Sequence, residues 1–517
     1  MKKTQPMKKR FIPNIIYIYV LIWFAANLLF LDTFPFMHSD ESWLSGLSRA
    51  MMHGGPGVTE PFFDLLPRFP HAIKILFHTM QMPFLLAFGY NLLAVRLISL
   101  IFGTATLYLV YKLALHISKS PVRALILAML LSVDVQFIYA SHFARQDIII
   151  AFGTVAAAHV IIRNAERWRY RSDILLGVLI GLFIGIHPNS LMIALCAGCL
   201  YLYQIFMKQF KLSNLLILIA TIAAFAGVFI GISYQLDSKF IAHYMQIGSN
   251  LGVDSTLAEK IRSLPGYFGR LFTRISGTYY TPPIQPQLIV FGISIIASAI
   301  FAFRGRKALR FLMPVLGITA GFVLIGRYSQ PAVILFWPLM YLLVFDVTVS
   351  LTKKYQLIPA LALGAAMLVC TVSSVVPYLN RDYRDYIDEI ESAVPSDAKV
   401  LANLNAEYAF DHGALVDYRN LEHLEDNGLT FAEYIDNNDI DYIVYPQEMD
   451  FIYQKRPVWN IVYGNIYPYY DYMNAFLDQN CTRVHAFTSP YAMRITRHMD
   501  KQDWTVIIYA VERQGQQ

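Results

Sequence analysis

The chain alternates long apolar runs with short polar connections over its first 377 residues. A membrane hydrocarbon core is about 30 Å thick, and roughly 20 residues of apolar helix cross it. Runs of this length, or nearly so, occupy residues 12–31, 91–115, 122–140, 147–163, 173–187, 190–207, 213–234, 286–303, 309–326, 331–350 and 356–377. This pattern predicts a polytopic α-helical membrane protein with about eleven transmembrane helices.

The stretch 71–89 is nearly long enough to be a further span, and counting it would exchange the sides of every later loop. His71, Lys74, His78 and Pro83 interrupt its apolar character. Because ionisable groups are costly within hydrocarbon, we expect this stretch to form a helix that lies on the outer surface of the membrane.

Composition agrees with this class: 56% of the 517 residues are hydrophobic, 15% are charged and the mean hydropathy is +0.43. The net charge of +6 comes mostly from basic residues before the first span and in alternate short loops, so it gives no reason to expect nucleic-acid binding. Cytoplasmic loops carry such an excess, which predicts a cytoplasmic N-terminus. The basic residues are Lys2, Lys3, Lys8, Lys9, Arg10, Arg163, Arg167, Arg169, Arg171, Lys208, Lys211, Arg304, Arg306, Lys307, Lys353 and Lys354.

The predicted spans define a membrane domain over residues 1–377, with two long external loops at 32–90 and 235–285. In the first loop a helix is expected from Asp40 to Met52, ended by two glycines. The first apolar run lacks a small-residue cleavage site, so we interpret it as a retained anchor rather than a signal peptide.

An odd number of spans places residues 378–517 outside the membrane, and the chain changes character there. Charged residues become frequent and the apolar runs shorten to strand length, with helical patterns between them. These features predict a small extracytoplasmic α/β domain. Its expected strands are 399–402, 441–445 and 505–509, and its expected helices are 382–393 and 430–437.

Several short patterns are explained by packing or turns rather than by chemistry, and no nucleotide-binding glycine motif is present. Cys196 and Cys199 have the spacing of metal ligands, but they lie in an apolar helix without further ligands. Asp439-Ile440-Asp441 precedes a predicted strand and is expected to form a turn. Glycines every four residues let a second helix approach the fifth span closely; they are Gly177, Gly181 and Gly185.

Two charged clusters are candidates for chemistry. Asp40 and Glu41 follow the first span directly, where ionisable groups at the membrane edge usually mark function, although Asp40 could simply cap a helix. The second cluster contains His142, Arg145 and Asp147. On a continuous helix Arg145 and Asp147 would point about 200° apart, which disfavours an ion pair. Either Asp147 caps the fourth span while Arg145 reaches the headgroups, or Arg145 clamps a phosphate.

Two further outer-side candidates have equally open interpretations. His187, in a tight reversal between the fifth and sixth spans, could be a turn histidine or a site residue. Arg327 and Tyr328, at the outer end of the ninth span, could form part of a site or anchor the helix at the membrane interface.

In combination and order, these motifs resemble the GT-C glycosyltransferases that use polyprenyl-phosphate sugars, namely the protein O-mannosyltransferases and lipid A aminoarabinose transferases. The resemblance covers about residues 12–350. It departs from many relatives where Phe69-Pro70-His71 replaces a Lys-Pro-Pro or His-Pro-Pro tripeptide. The matching segments are Asp40-Glu41, Pro70-His71, Gly89, Arg96-Leu97, residues 140–147, His187-Pro188 and Arg327-Tyr328.

The resemblance implies a bacterial-type enzyme of the plasma (inner) membrane that moves a sugar from a polyprenyl phosphate to an acceptor hydroxyl or amine, with inversion. The acceptor would be an extracytoplasmic lipid, glycan or protein. Asp40 would be the base, Glu41 would orient the acceptor or the base, and Arg145, Arg327 and His71 would hold the donor phosphate. A divalent metal fits this scheme but is not required, since side chains can neutralise one phosphate.

Two other classes would also need cations on the outer face. A transporter or flippase of lipid-linked sugars would typically show inverted repeats and broken spans near mid-bilayer, whereas here the charges gather at one face. An oligosaccharide ligase would differ in consuming a lipid diphosphate rather than a monophosphate.

Overall fold

The computed structural model describes residues 15–250, 253–275, 277–350, 357–494 and 503–513. The basic residues from Lys2 to Arg10, and Lys353 and Lys354, on which the predicted orientation partly rests, lie outside this range. The apolar helices in the range are Ile15–Leu28, Ile75–Phe88, Leu92–Ser118, Pro121–Ser132, Val135–His142, Asp147–Asn164, Tyr170–Leu182, Leu191–Phe206, Leu212–Leu236, Gln285–Arg304, Leu309–Ile325, Trp337–Ser350 and Leu357–Val375.

Six of the helical segments in the described residues are long and apolar enough to cross a membrane, and a pair bent by 67° at Val133-Asp134 would make a seventh. Four shorter apolar helices accompany them, so the count is roughly consistent with the predicted eleven. One of these four is Ile75–Phe88, which at 1.5 Å per residue is about 21 Å long and therefore short for a span. Its position on the outer surface stays a prediction.

The predicted fifth span is the helix Tyr170–Leu182, extended by a 3-10 turn. Its glycines lie against Leu212–Leu236 as the spacing predicted. A Cβ atom on Gly177 would meet Thr221 at 2.6 Å, and one on Gly181 would meet Phe225 at 2.5 Å. No larger residue fits at these positions unless the two helices move apart.

The bend between Pro121–Ser132 and Val135–His142 is built around a fully buried carboxylate, Asp134. It caps the second helix and also accepts hydrogen bonds from Gln287 Nε2 at 2.9 Å, Trp337 Nε1 at 2.9 Å and Tyr341 Oη at 2.6 Å. Asp134 therefore fixes the direction of the helix that leads into residues 143–147.

The C-terminal region contains five strands, namely β1 Val400–Ala402, β2 Leu415–Asp417, β3 Tyr442–Pro446, β4 Cys481–Ser489 and β5 Trp504–Val511. They form one sheet in the order β2-β1-β3-β5-β4. β1 is parallel to β2 and β3, whereas β5 is antiparallel to β3 and β4. The helices of this region are Tyr383–Glu391, Phe431–Asn437, Glu448–Lys455 and Tyr470–Asn480.

The three strands and two helices expected here are present, and the structure adds β2 and β4. β2 has only three residues, and β4 is a largely exposed edge strand with polar side chains on both faces, so neither shows the alternation that reveals a strand. Asp439 lies in a turn with φ of 51°, as its sequence suggested. Asp441 after it pairs with Arg513 at 2.9 Å.

The C-terminal region docks on the first external loop. The helix Ser39–Gly54 is held along its length by side chains from beyond residue 400. Three pairs of side chains make hydrogen bonds of 3.0 Å or less: Ser39 with Arg494, Ser45 with Tyr408, and Arg49 with Glu407. The C-terminal region thus limits where the first turn of this helix, which carries Asp40, can lie.

Candidate active site

The helix Ser39–Gly54 begins with a reciprocal cap that explains the placement of both acidic residues. His38 is the N-cap, and its ring Nδ1 accepts the Asp40 backbone N–H at 3.0 Å. Glu41 reaches back, so that its Oε2 accepts the His38 backbone N–H at 3.0 Å. Because these two side chains satisfy the orphan donors of the first turn, Asp40 is not the cap and its carboxylate is available for other contacts.

Glu41 is fully buried and binds Arg96 through both carboxylate oxygens, at 2.7 and 2.8 Å. Its Oε1 also accepts the backbone N–H of Ala144 at 3.0 Å. Because no part of the Glu41 side chain is exposed, it does not contact an acceptor in this arrangement, and the alternative that it orients the base stays a prediction. Glu41 instead fixes the positions of the first external loop, the second span and the segment that carries Arg145.

Asp40, Arg145 and Tyr279 form a triangle of hydrogen bonds. Asp40 Oδ2 accepts from Arg145 Nη1 and from Tyr279 Oη, each at 2.7 Å, and Arg145 Nη1 lies 2.7 Å from Tyr279 Oη. Arg145 is 8% exposed. It is therefore not a headgroup anchor in this structure. The N-cap of the helix Asp147–Asn164 is Gln146, so Asp147 does not cap this helix.

The sequence disfavoured an ion pair between Arg145 and Asp147, but the structure brings the two side chains together. Arg145 Nε lies 3.2 Å from Asp147 Oδ2, an ion-pair distance, although neither atom has a hydrogen-bond partner with good alignment. The expectation assumed a continuous helix, whereas the chain leaves the helix after His142 and Phe143 is extended, with φ of −90° and ψ of 121°.

The surroundings of Asp40 favour its charged form. Burial by itself would raise the pKa of the carboxyl, but the adjacent His38, the Arg145 guanidinium and the hydrogen bond from Tyr279 hold the pKa well below its usual range. The side chain remains 23% exposed. Asp40 is thus an accessible carboxylate that carries its charge at neutral pH.

His38 links Asp40 to the second external loop. Its ring stacks on Tyr279 with centroids 4.5 Å apart, and its Nε2 lies 3.0 Å from Thr278 Oγ1. Burial lowers the pKa of this histidine to about 4, and the opposing effect of Asp40 does not reverse the shift. A neutral ring whose Nδ1 accepts from Asp40 carries its proton on Nε2, where it can be donated to Thr278.

Cations gather beside this triangle. Lys74, in the left-handed region with φ of 110°, is half-buried, and Arg327 is exposed. Burial lowers the pKa of Lys74 to about 8, Glu60 opposes the shift, and Arg68, Arg327 and Arg145 add to it. Within the described ranges, the side chains of Lys74 and Arg327 make no hydrogen bond or ion pair.

His71 lies beside Lys74 but differs from the expected cation. Burial first, and the charge of Lys74 second, lower the pKa of His71 to about 4, so its ring is neutral at pH 7. It packs edge-on against Tyr244, with centroids 5.6 Å apart. A neutral imidazole can still donate one hydrogen bond to an anion.

A carboxylate balances part of this positive charge. Glu60 Oε1 accepts from Trp43 Nε1 at 2.6 Å and from Arg68 Nη2 at 3.2 Å. Burial opposes ionisation, yet Arg68 and the Trp43 bond lower the pKa of Glu60 to about 2. Trp43 itself lies between two guanidinium groups, Arg68 at 4.4 Å and Arg419 at 4.8 Å from its ring.

Two of the remaining candidates from the sequence, His142 and Tyr328, make contacts within the protein. His142 is fully buried, and its ring nitrogens lie 2.7 Å from Phe34 O and 2.9 Å from Asn27 Oδ1. It therefore holds the first span and the loop after it, rather than facing a substrate. Tyr328 donates to Lys260 O at 2.6 Å. Its neighbour Arg327 is the charged residue of the two.

His187 combines the two interpretations that the sequence left open. Its Nδ1 accepts the Asn189 backbone N–H at 3.1 Å and so caps the 3-10 turn Pro188–Ser190. Burial first, and then the charges of Lys74, Arg145 and Arg327, lower its pKa well below the usual value. His187 is thus a turn histidine in the neighbourhood of the cations.

Tyr279 also lines a cavity of about 470 Å³. Its wall is mostly apolar and aromatic, and it combines the second external loop with the C-terminal region. The residues lining it include Arg270, Thr278, Tyr279, Tyr328, Trp459 and Ile461. Among the described residues, no group of three or more histidine, cysteine or acidic side chains comes together as a metal site.

Comparison with known proteins supports the expected fold. The family model of the dolichyl-phosphate-mannose-protein mannosyltransferases matches residues 72–245, and no curated protein matches by sequence. The chain is similar in structure to ArnT from Cupriavidus metallidurans bound to undecaprenyl phosphate, with a TM-score of 0.59 and 12% identity over 96% of this chain and 97% of that chain. The apo state of the same ArnT gives 0.58 and 12% over 95% and 97%.

The likeness to ArnT extends over almost the whole of both chains, so the GT-C-like fold predicted from the motifs is confirmed. The resemblance to the mannosyltransferase family is confirmed over residues 72–245, the segment that contains Arg145 and His187. At 12% identity the structural likeness concerns the fold, and it assigns no role to a side chain of this protein.

Sequence reasoning missed several residues that the fold brings to Asp40. Tyr279 is 239 positions away along the chain, and only its membership of a tyrosine-rich external loop set it apart. Lys74 was noted solely as an interruption of an apolar run. Neither forms a local motif with Asp40, and only the folded chain shows that they are neighbours.

Proposed function

We propose that this protein is a membrane glycosyltransferase that moves a sugar from a polyprenyl-phosphate donor to an extracytoplasmic acceptor, with inversion at the anomeric carbon. One observation carries the proposal most strongly. An accessible carboxylate, Asp40, is paired with Arg145, and the charges of Arg327 and Lys74 act on this pair in a fold like that of ArnT. The solved ArnT that it resembles binds undecaprenyl phosphate, a lipid of the proposed donor class.

Asp40 is proposed as the base. The acceptor's hydroxyl or amine becomes a useful nucleophile only as its proton leaves, and a positioned base contributes about 10² to 10⁴-fold to the rate. The acceptor atom attacks the anomeric carbon from the face opposite the phosphate. The bond from this carbon to the phosphate oxygen breaks, and polyprenyl phosphate leaves with the electron pair.

Arg145, Lys74 and Arg327 are proposed to stabilise the charge that grows on the leaving phosphate. Preorganised cations act most strongly where charge develops in the transition state. A guanidinium offers a fixed fork of donors to phosphate, whereas an ammonium acts as a point charge. Neutral His71 would add a hydrogen bond. These groups can neutralise one phosphate without a metal, although the scheme leaves room for one.

The acceptor is proposed to approach through the cavity beside Tyr279, because the phenol that donates to Asp40 belongs to a residue that lines this cavity. We further propose that Glu41 positions the helix that carries Asp40 and does not contact substrate. The protein would lie in the plasma membrane with this site and residues 378–517 on the extracytoplasmic side, as the basic loops predict.

The direct test is to incubate purified protein in detergent with a panel of polyprenyl-phosphate monosaccharides and to measure free polyprenyl phosphate. Wild type should release it with at least one donor, and Asp40→Asn should not. Asp64→Asn is a matched control, because Asp64 is an external carboxylate that accepts a hydrogen bond from Tyr434 at 2.8 Å, and this variant should remain active. Activity only with lipid diphosphates would favour a ligase, and carriage of the intact donor would favour a flippase.

A further inference from the structure

The structure joins two groups that the proposed reaction requires to act separately. Arg145, the proposed phosphate ligand, is bound to Asp40, the proposed base. A carboxylate held by a guanidinium is a poor acceptor of protons, and a guanidinium held by a carboxylate is a less available ligand for phosphate. Each of these groups is therefore restrained by the other in the arrangement seen here.

We propose that Arg145 passes from Asp40 to the donor phosphate when the donor binds, and that Tyr279 remains as the positioning residue of Asp40. This inference rests on the proposed function. It makes donor binding the event that frees the base, so that Asp40 takes a proton only when a sugar is in place to be transferred.

The contacts of Arg145 suit such an exchange. Its hydrogen bonds to Asp40 and Tyr279 both leave from one nitrogen, Nη1. Its Nε stays 3.2 Å from Asp147 Oδ2, which can hold the base of the guanidinium while its outer end turns. The positive charges of Lys74 and Arg327 act on the same neighbourhood and favour the binding of an anion there.

Tyr279 is suited to remain in place. Its ring is stacked on His38, 4.5 Å away, and His38 is fixed as the cap of the helix that carries Asp40. The phenol donates to Oδ2 and so directs the other oxygen, Oδ1, toward the acceptor. Oδ1 lies 3.7 Å from His38 Nδ1, too far for a hydrogen bond.

The exchange also returns the enzyme to its starting state. In the transfer step the acceptor's proton moves to Asp40 Oδ1, the sugar carbon bonds to the acceptor, and the phosphate oxygen keeps the electrons of the broken bond. When polyprenyl phosphate departs, Arg145 returns to Asp40. A carboxyl beside a guanidinium holds its proton weakly, so the proton is lost to water.

The first test is binding of undecaprenyl phosphate to the full-length protein in nanodiscs. If Asp40 competes with phosphate for Arg145, Asp40→Asn should bind this lipid about 2- to 5-fold more tightly than wild type, the range expected for release of a partly exposed ion pair. The gain should be absent in Arg145→Ala/Asp40→Asn compared with Arg145→Ala, where no cation is left to be released. Equal or weaker binding by Asp40→Asn would overturn the exchange. Failure of wild type itself to bind would instead count against the proposed function.

The second test separates the two roles by pH. The acid limb of kcat/KM for the donor reports the free enzyme, where Asp40 is paired with Arg145, and the acid limb of kcat reports the donor complex. The limb of kcat should lie at higher pH. Tyr279→Phe keeps the stacked ring but removes the hydroxyl, and should move both limbs to higher pH.

Tyr418→Phe is the matched control for Tyr279→Phe. It removes one buried phenol that donates to Val444 O at 3.0 Å in the C-terminal region, and it should leave both limbs where they are in wild type. Limbs of kcat and kcat/KM that coincide in wild type would contradict the exchange. Limbs that do not move in Tyr279→Phe would contradict the positioning role of Tyr279.

Discussion

Two carboxylates of this protein, Asp134 and Asp40, are surrounded by different kinds of partner. Asp134, among the membrane helices, is fully buried and accepts five hydrogen bonds, all from neutral donors. Asp40, at the outer end of the first span, keeps 23% of its side chain exposed and is bound by the Arg145 guanidinium and the Tyr279 phenol through one oxygen.

The comparison shows that burial and good hydrogen bonding do not by themselves indicate a reactive group. Asp134 has its partners within the fold, so its arrangement serves to fix a bend. The Asp40 region contains an excess of positive charge, because Arg327 acts on Asp40 and Lys74 interacts with Arg145 in addition to the Asp40 and Arg145 pair. Such an excess at a membrane surface suits an anionic ligand.

The largest effect on stability is expected at the neighbour of Asp40. Glu41→Gln leaves Arg96 buried without its charged partner, and breaking one side of a buried pair costs about 3 to 5 kcal/mol. We expect a large loss of folded protein and a lower melting temperature in detergent. Glu389→Gln is the control, because Glu389 is 47% exposed in its pair with His485 and should cost at most about 1 kcal/mol. Equal melting temperatures for the two variants would contradict the positioning role of Glu41.

A smaller effect, on donor binding, is expected at Arg145. Arg145→Ala should weaken binding of undecaprenyl phosphate by about 10- to 100-fold, since hydrogen bonds to charged groups are worth about 1.5 to 3 kcal/mol. Arg145→Lys should restore only part of this, because a point charge lacks the bidentate fork. Arg310→Lys, which alters the pair between Arg310 and Asp346, should bind normally. Full binding by Arg145→Lys would indicate that charge alone matters.

The parts that the sequence predicted are those with a local signal. Apolar length predicted the helices, and position after the first span marked Asp40. The guanidinium chemistry of Arg145 marked it as a possible phosphate ligand, but its pairing with Asp147 was disfavoured because the break after His142 leaves no periodic trace in the sequence. Tyr279 and Lys74 reach the site only through tertiary packing, which no spacing along the chain encodes.

The smallest effect is expected from pH and sharpens the role of Lys74. Burial lowers the pKa of this ammonium to about 8, so it is charged below that pH and loses its charge as the pH rises through 8. Binding of undecaprenyl phosphate should therefore weaken between pH 7 and 9. Lys74→Arg, which stays charged in this range, should flatten the dependence. A slope that is unchanged in Lys74→Arg would assign the titration to another group.

The most direct test compares the two carboxylates in one experiment. Asp40→Asn and Asp134→Asn are purified, the folded fraction of each is measured, and release of polyprenyl phosphate from a polyprenyl-phosphate sugar is expressed per folded molecule. The account predicts that Asp40→Asn melts like wild type and loses about 10² to 10⁴-fold of the rate, whereas Asp134→Asn melts earlier and retains most of its rate. Near-normal turnover by folded Asp40→Asn would contradict the central claim.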